Sequence, residues 1–309
     1  MPICWPWKTI APMRLHRASM KNISVPSSRP LEPRKAAALT KIVSATREWP
    51  SQPMLVGAFA RDVWFWHAHG IETERATEDI DISMEFPDWR GFNRFSKILH
   101  EIGFSQPVPN HPEKLLDAQS GQKIDILPFG ALAVDGHAII WPTDQSRWSI
   151  LGFEETYRHA ALLKLPLSSS PGIRIATLPA MVLLKMVAFY ERLQDRKRKD
   201  GADIAFILAH YLEAGNKDRL MRAPEANIMD QVEGDLQRAA ALLIGKDMGR
   251  LAGLDARAEI VAHLKQEIGS ASRCPLAREL VRRLSDGNFG RARQVLGDLL
   301  TGIQTGSLP

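Results

Sequence analysis

The chain has 309 residues, 45% hydrophobic and 24% charged, which is the profile of an ordinary globular protein and excludes a fibrous or wholly disordered one. No apolar run approaches the roughly 20 residues needed to cross a bilayer, and two distant cysteines, Cys4 and Cys274, exclude a disulfide framework or a zinc cluster, so a reducing cytoplasm is the expected compartment. The formal charge of +5 equals the contribution of five basic residues near the start, Lys8, Arg14, Arg17, Lys21 and Arg29; the rest of the chain is balanced, so net charge alone gives no argument for a nucleic-acid partner.

Residues 1–30 hold Pro2, Pro6, Pro12, Pro26 and Pro30, show neither helical nor strand period, and lack the apolar stretch of a secretory signal. They are expected to form a disordered basic tail, or to lie partly ahead of a true start at Met20. From Pro33 to Trp49 the stripe Ala38, Leu39, Ile42 and Val43 predicts a helix that Pro50 ends. Met54–Val56 reads as a short buried strand, Gly57 as a turn, and 58–69 as a helix closed by Gly70. After a charged loop, Asp79–Met84 reads as a strand. Asp88 is placed to cap a helix running to about Ile102. Lys114–Ala118 and Gln122–Leu127 read as a hairpin around Ser120-Gly121, with Asp125 in its second strand. His137–Trp141 is a further strand candidate, 154–159 is ambiguous, and Ala160–Leu165 and Ile173–Ala176 are short strands. Thr177 can cap a helix with Pro179 in its first turn, running to about Asp195. Another helix spans Asp200–Tyr211, and only helical periods follow, near 231–244, 256–268, 276–285 and 289–301. The expected organisation is an α/β domain over 31–176 and a helical domain over 177–309.

The chemistry concentrates on a few carboxylates. Strand residues alternate faces, so Asp79 and Asp81 share one side while Ile80 and Ile82 take the other. Two carboxylates so close repel one another unless a cation lies between them. Asp125, flanked by Ile124 and Ile126, repeats the pattern. The glycine turn Gly57-Ala58 at a helix start is a natural place for a triphosphate. A lone D-x-D is most often the exposed face of an edge strand; a third aspartate in a matching strand and the upstream turn reverse that balance. Such a set suits two magnesium ions, which favour oxygen ligands and shared phosphates. Asp125 would also accept the proton of an incoming hydroxyl. The tryptophans Trp64, Trp66, Trp89, Trp141 and Trp148 are read as core or cleft wall, and the histidines show no metal-ligand spacing.

These residues resemble a family. The order of glycine turn, D-h-D strand and h-D-h strand is that of the nucleotidyltransferase fold shared by polymerase beta, tRNA CCA-adding enzymes and aminoglycoside nucleotidyltransferases. The segments VGAFARD (56–62), RATEDIDI (75–82), KIDILPFG (123–130), LGFEE (151–155) and LLKMVAFYERLQDRKRKDGADI (183–204) are more similar to the AbiEii-like nucleotidyltransferase toxins of type IV toxin–antitoxin systems. The resemblance covers about residues 35–215 and implies an α/β (α+β) fold with a polymerase-beta-like mixed sheet, followed by an all-helical C-terminal region. It also implies a magnesium-dependent enzyme that transfers NMP from an NTP to a hydroxyl, with RNA or tRNA as a candidate acceptor and an antitoxin as a candidate partner. Asp79, Asp81 and Asp125 become the catalytic and metal-binding carboxylates. Gly57, Ala58, Arg61, Arg75, Thr77, Lys185, Lys199 and Asp203 become the nucleotide-binding residues. For Arg61 a structural role stays equally open, since Arg61 and Asp62 are too close in sequence to face each other on a helix surface. A stripe of Lys185, Arg192, Arg196 and Lys199 would follow the acceptor if helix continues through it. Two features depart from the family pattern: Ala58 stands where glycine or serine is usual, and the step from Gly57 to Asp79 is longer than in minimal members. The alternatives are a non-catalytic nucleotide- or RNA-binding module, and an enzyme that modifies a small molecule.

Overall fold

In the computed structural model the described residues are 22–47, 49–74, 77–165, 172–192, 199–270, 274–284 and 287–306. The strands are β1 (Asn22–Ile23), β2 (Met54–Val56), β3 (Ile80–Glu85), β4 (Phe104–Ser105), β5 (Lys114–Asp117), β6 (Lys123–Phe129), β7 (Ala138–Ile140), β8 (Arg147–Ser149), β9 (Ala161–Leu163) and β10 (Ile173–Ile175). Eight of them form one mixed sheet in the order β1-β9-β10-β2-β3-β6-β5-β4, and β7 pairs with β8 in a separate ribbon. At the centre of the sheet β2 runs antiparallel to β3, β3 parallel to β6, and β6 antiparallel to β5.

The alternation seen in sequence is what the sheet uses. Ile80, Ile82 and Met84 of β3 and Ile124 of β6 are fully covered on one face. They share one apolar cluster with helix α1 (Pro33–Ala45), whose buried residues include the expected Ala38, Leu39, Ile42 and Val43, and with α3 (Trp89–Glu101). At the start of α3 the Asp88 carboxylate accepts from the Gly91 N–H at 2.7 Å, the expected cap. Between β2 and β3 runs α2 (Gly57–Asp62), which continues as a π-helical segment over Val63–Ala68.

A short helix α4 (Phe153–Arg158) precedes β9, and after β10 the chain is helical: α5 (Leu178–Glu191), α6 (Lys199–His210), α7 (Ile228–Gln231), α8 (Leu236–Leu251), α9 (Leu254–Gly269), α10 (Pro275–Leu284) and α11 (Phe289–Thr305). Helix α5 is apolar on nearly every side and is buried among α6, α8 and α9, as an all-round hydrophobic helix must be. Where α8 crosses α11 the backbones touch: a Cβ on Gly302 would stand 2.8 Å from the Gly245 Cα, so only glycine fits. The expected boundary at 176–177 falls in the link between β10 and α5, and the apolar core runs unbroken across it.

Several expectations are corrected. Residues 22–30 are not a structureless tail, because β1 pairs in parallel with β9 and buries Ile23; residues 1–21 lie outside the described residues. The β7 candidate is a strand, but its partner β8 and the short edge strand β4 carried no sequence signal. The ambiguous 154–159 segment is the helix α4. Thr177 occupies the cap position of α5, yet its side chain makes no capping bond. Helix α5 ends at Glu191, with Arg192 already outside helical geometry, so no continuous stripe runs from Lys185 through Arg192; Arg196 lies outside the described residues. Of the five tryptophans, Trp64 and Trp141 are core, Trp89 and Trp148 pack on Trp141, and Trp66 is exposed.

Candidate active site

The site is built on the middle of the sheet. The register sets Asp81 of β3 directly beside Asp125 of β6 and Val56 of β2 beside Asp81. Register partners point to the same face, so the two carboxylates rise together on the face opposite the isoleucines. Asp79 lies one residue ahead of β3 and is exposed. Burial, followed by the Asp125 charge, pushes the Asp81 carboxyl from its ordinary 3.8 to about 6, with Asp79 adding to the rise and Lys185 and the Ala58 N–H opposing it. Burial likewise raises Asp125, with Asp79 contributing. Asp79 and Asp125 thus act on Asp81, and Asp79 acts on Asp125.

Gly57 adopts φ +70°, and a side chain there would collide with the Asp81 carboxylate. Glycine is required at this turn on both counts. The Ala58 N–H, expected at the triphosphate, lies close enough to oppose the rise in Asp81. The turn and the aspartate strand thus meet directly, with the Asp81 carboxylate against Gly57.

The loop leading to Asp79 is pinned from two sides. Lys35, buried on α1, donates to the Thr77 carbonyl at 2.6 Å, and Gln122, buried at the start of β6, donates to the Glu78 carbonyl at 2.5 Å. Arg283 of α10 pairs with Glu74 in the same loop. The Thr77 hydroxyl is buried and makes no hydrogen bond among the described residues. Lys35 and Gln122 were missed from sequence, although both left a trace. Lys35 sits one turn before Ala38 and Leu39 on an otherwise apolar stripe, and Gln122 alternates with Ile124 and Ile126 on the covered face. A polar group at an inward position needs a partner, and both find theirs in this loop.

The expected nucleotide-binding residues divide. Lys185, on α5, has a side chain only 11% exposed; its Nζ lies 2.6 Å from the Asp203 carboxylate and 3.5 Å from that of Asp200, while its charge still reaches Asp81. Arg61 is 3% exposed and enclosed by carboxylates: it donates to Asp62 from Nε at 3.0 Å and from Nη2 at 2.6 Å, and to Asp203. Arg61 and Asp62 are therefore not a helix-surface pair that fails to meet; they are buried and bonded, because the guanidinium curls back along its own backbone. Asp203, on α6, bridges Arg61 and Lys185. Lys199 is exposed at the start of α6, and Arg75 lies outside the described residues.

The donor set fits hard divalent cations, since burial and neighbouring negative charge raise the proton affinity of Asp81 and Asp125, and magnesium takes oxygen ligands of this kind. Among the described residues no three such side chains already stand together as a finished ligand cage.

A family model, "Nucleotidyl transferase AbiEii toxin, Type IV TA system", matches residues 54–267, which span the turn, both aspartate strands, Lys185 and Asp203. The chain belongs to the AbiEii nucleotidyltransferase family. No curated protein matches the chain. Two solved structures resemble it loosely. One is the crystal structure of ANT(2")-Ia in complex with adenylyl-2"-tobramycin, with TM-score 0.35 and 14% identity, covering 60% of this chain and 98% of that one. The other is the solution structure of the antibiotic-resistance factor ANT(2'')-Ia, with TM-score 0.34 and 14% identity, covering 67% of this chain and 94% of that one. Neither likeness carries a substrate over to this AbiEii-family chain.

Proposed function

We propose that this AbiEii-family protein is a magnesium-dependent enzyme that moves NMP from an NTP to a hydroxyl of an RNA acceptor, such as a tRNA end, and that it acts as the toxin of a pair restrained by a cognate antitoxin. The observation that carries the chemistry is the register partnership of Asp81 and Asp125 beside the Gly57 turn. Asp79, Asp81 and Asp125 would hold the magnesium, which when bound neutralises the phosphates and polarises the bond to be broken.

The remaining steps belong to the chain itself. The Gly57-Ala58 turn receives the triphosphate through its backbone, and Lys185 approaches it as a point charge. The acceptor oxygen attacks the α-phosphorus as its proton passes to the Asp125 carboxylate. The bond from that phosphorus to the pyrophosphate oxygen breaks, and pyrophosphate leaves with the electron pair. The raised proton affinity of Asp125 suits it to take that proton. Asp203 and Arg61 are positioning residues in this reading: Asp203 aims Lys185, and Arg61 anchors Asp203. Lys35 and Gln122 hold the Asp79 loop.

The test is transfer of α-labelled NTPs, with and without magnesium, to total RNA, small RNA, protein and a metabolite extract. Wild type should label RNA and release pyrophosphate, and Asp79→Ala/Asp81→Ala should not. Equal labelling by both would overturn the proposal. Label on a metabolite would place the enzyme among those that modify small molecules, and NTP binding without turnover would mark a binding module. The toxin role predicts growth arrest on expression that Asp79→Ala abolishes.

A further inference from the structure

Read across the sheet from β2 to β5, four register partners stand in one row: Val56, Asp81, Asp125 and Lys114. Directly opposed residues of neighbouring strands share a face, so the Lys114 side chain rises on the same side as the two carboxylates. Strands lie about 4.8 Å apart, which puts Lys114 some 14 Å from the β2 end of the row. That end leads straight into the Gly57 turn, where the triphosphate is assigned. Lys114 is thus on the far side of Asp125 from the nucleotide, where the second substrate must approach.

The state of its charge distinguishes it from other lysines near the sheet. Lys41 is closed on Asp117 at 2.7 Å, Lys35 on Glu32 at 2.9 Å, and Lys185 on Asp203. Lys114 is half-buried, yet no ion pair holds it among the described residues. Its neighbour Glu113 is turned to the buried face, where the His111 ring meets its carboxylate at 2.9 Å. Lys114 supplies the strongest positive charge acting on Asp125, but no bridge closes between them. A partly desolvated ammonium beside a partly desolvated carboxylate, each without a hydrogen-bonded partner among the described residues, leaves both free to meet a third group.

We propose that Lys114 is the acceptor-side contact of this enzyme, binding an anionic group, a phosphate, that lies beside the hydroxyl deprotonated by Asp125. This rests on the nucleotidyltransferase reading above, and selects acceptors that carry a phosphate within reach of the reacting hydroxyl. A neutral polyol has nothing to offer that ammonium.

The experiment is steady-state labelling of small RNA by wild type, Lys114→Met and Lys114→Arg over a range of acceptor and KCl concentrations. Nucleotide affinity is measured separately with a fluorescent NTP. Lys114→Met should raise the acceptor KM by about tenfold, the scale of one charge-assisted contact. It should also lower the slope of log KM against log salt by about one, the signature of one lost phosphate contact. Lys114→Arg should restore both, and NTP affinity should stay within about twofold throughout. An unchanged acceptor KM and salt slope in Lys114→Met would overturn the inference. So would wild-type labelling of a metabolite without phosphate, which would leave nucleotidyl transfer standing. Absence of any labelling by wild type would instead remove the underlying reading and the inference with it.

Discussion

Two clusters of charge lie close together in this protein and are built in opposite ways. On the sheet, Asp79, Asp81 and Asp125 repel one another, with Lys185 and Lys114 opposing at a distance. Behind it, Asp62, Arg61, Asp203 and Lys185 form a chain of alternating signs, each bonded to the next. The first arrangement costs the folded state energy unless a cation arrives. The second is complete without any ligand. In the proposed reading, charged residues of the same kinds serve as a reaction site where compensation is missing and as scaffolding where it is supplied, and Lys185 belongs to both.

That contrast is open to attack, and the largest effect should come from the uncompensated side. Replacing Asp81 or Asp125 by Asn should lower nucleotidyl transfer by at least about 100-fold, read as label incorporation, because each removes charge needed at the transferring phosphate. Structural integrity, read by circular dichroism, should not suffer. If either variant kept full activity, the row would be mere sheet surface.

On the compensated side the cost should fall on stability. Asp203→Asn leaves Arg61 and Lys185 buried without their shared partner, and loss of one member of such a cluster costs about 3–5 kcal/mol. The denaturation midpoint in urea should fall accordingly. A variant as stable as wild type would show that the cluster is not holding α5 and α6 against the turn.

A smaller effect of opposite sign is expected from Asp81→Asn in the metal-free protein. Between about pH 4 and pH 6 the folded chain holds a proton that the unfolded chain has released, so this residue lowers stability as pH rises through that window. A carboxyl lifted to about 6 would cost up to about 3 kcal/mol when fully buried, and the partial exposure of Asp81 brings the expectation to about 1 kcal/mol. Asp81→Asn should therefore be more stable than wild type above pH 6 and no different below about pH 4, by urea titration with EDTA present.

The smallest effect concerns the Asp79 loop. Gln122→Ala should cost about 1 kcal/mol and lower activity several-fold, because the Glu78 carbonyl loses its donor while the aspartates themselves remain. Activity at the wild-type level would mean that the loop is held by Lys35 and Arg283 alone.

Period-two alternation is a local property, and it made the aspartate strands, the hairpin and the covered isoleucine face legible in sequence. The Gly57 turn was legible for the same reason, since a glycine before a helix and after an apolar strand has few roles. What stayed hidden was non-local. Asp203 lies 142 residues from Arg61, and no spacing rule predicts that bond. The β1 strand is only two residues long and acquires meaning from β9, far along the chain. Spacing also misled once: adjacent helix residues do not face each other as a pair on a surface, yet Arg61 folds back onto Asp62 once both are buried. Lys35 and Gln122 lay between these cases, visible as polar residues on apolar faces but without a partner to name.

The most direct measurement of the central claim is thermal unfolding at pH 8 with and without magnesium, in wild type, Asp81→Asn/Asp125→Asn and Asp203→Asn. If the row is an uncompensated cation site, magnesium raises the Tm of wild type and of Asp203→Asn and leaves the double variant unmoved. An equal response in wild type and the double variant, or none in wild type, would contradict it.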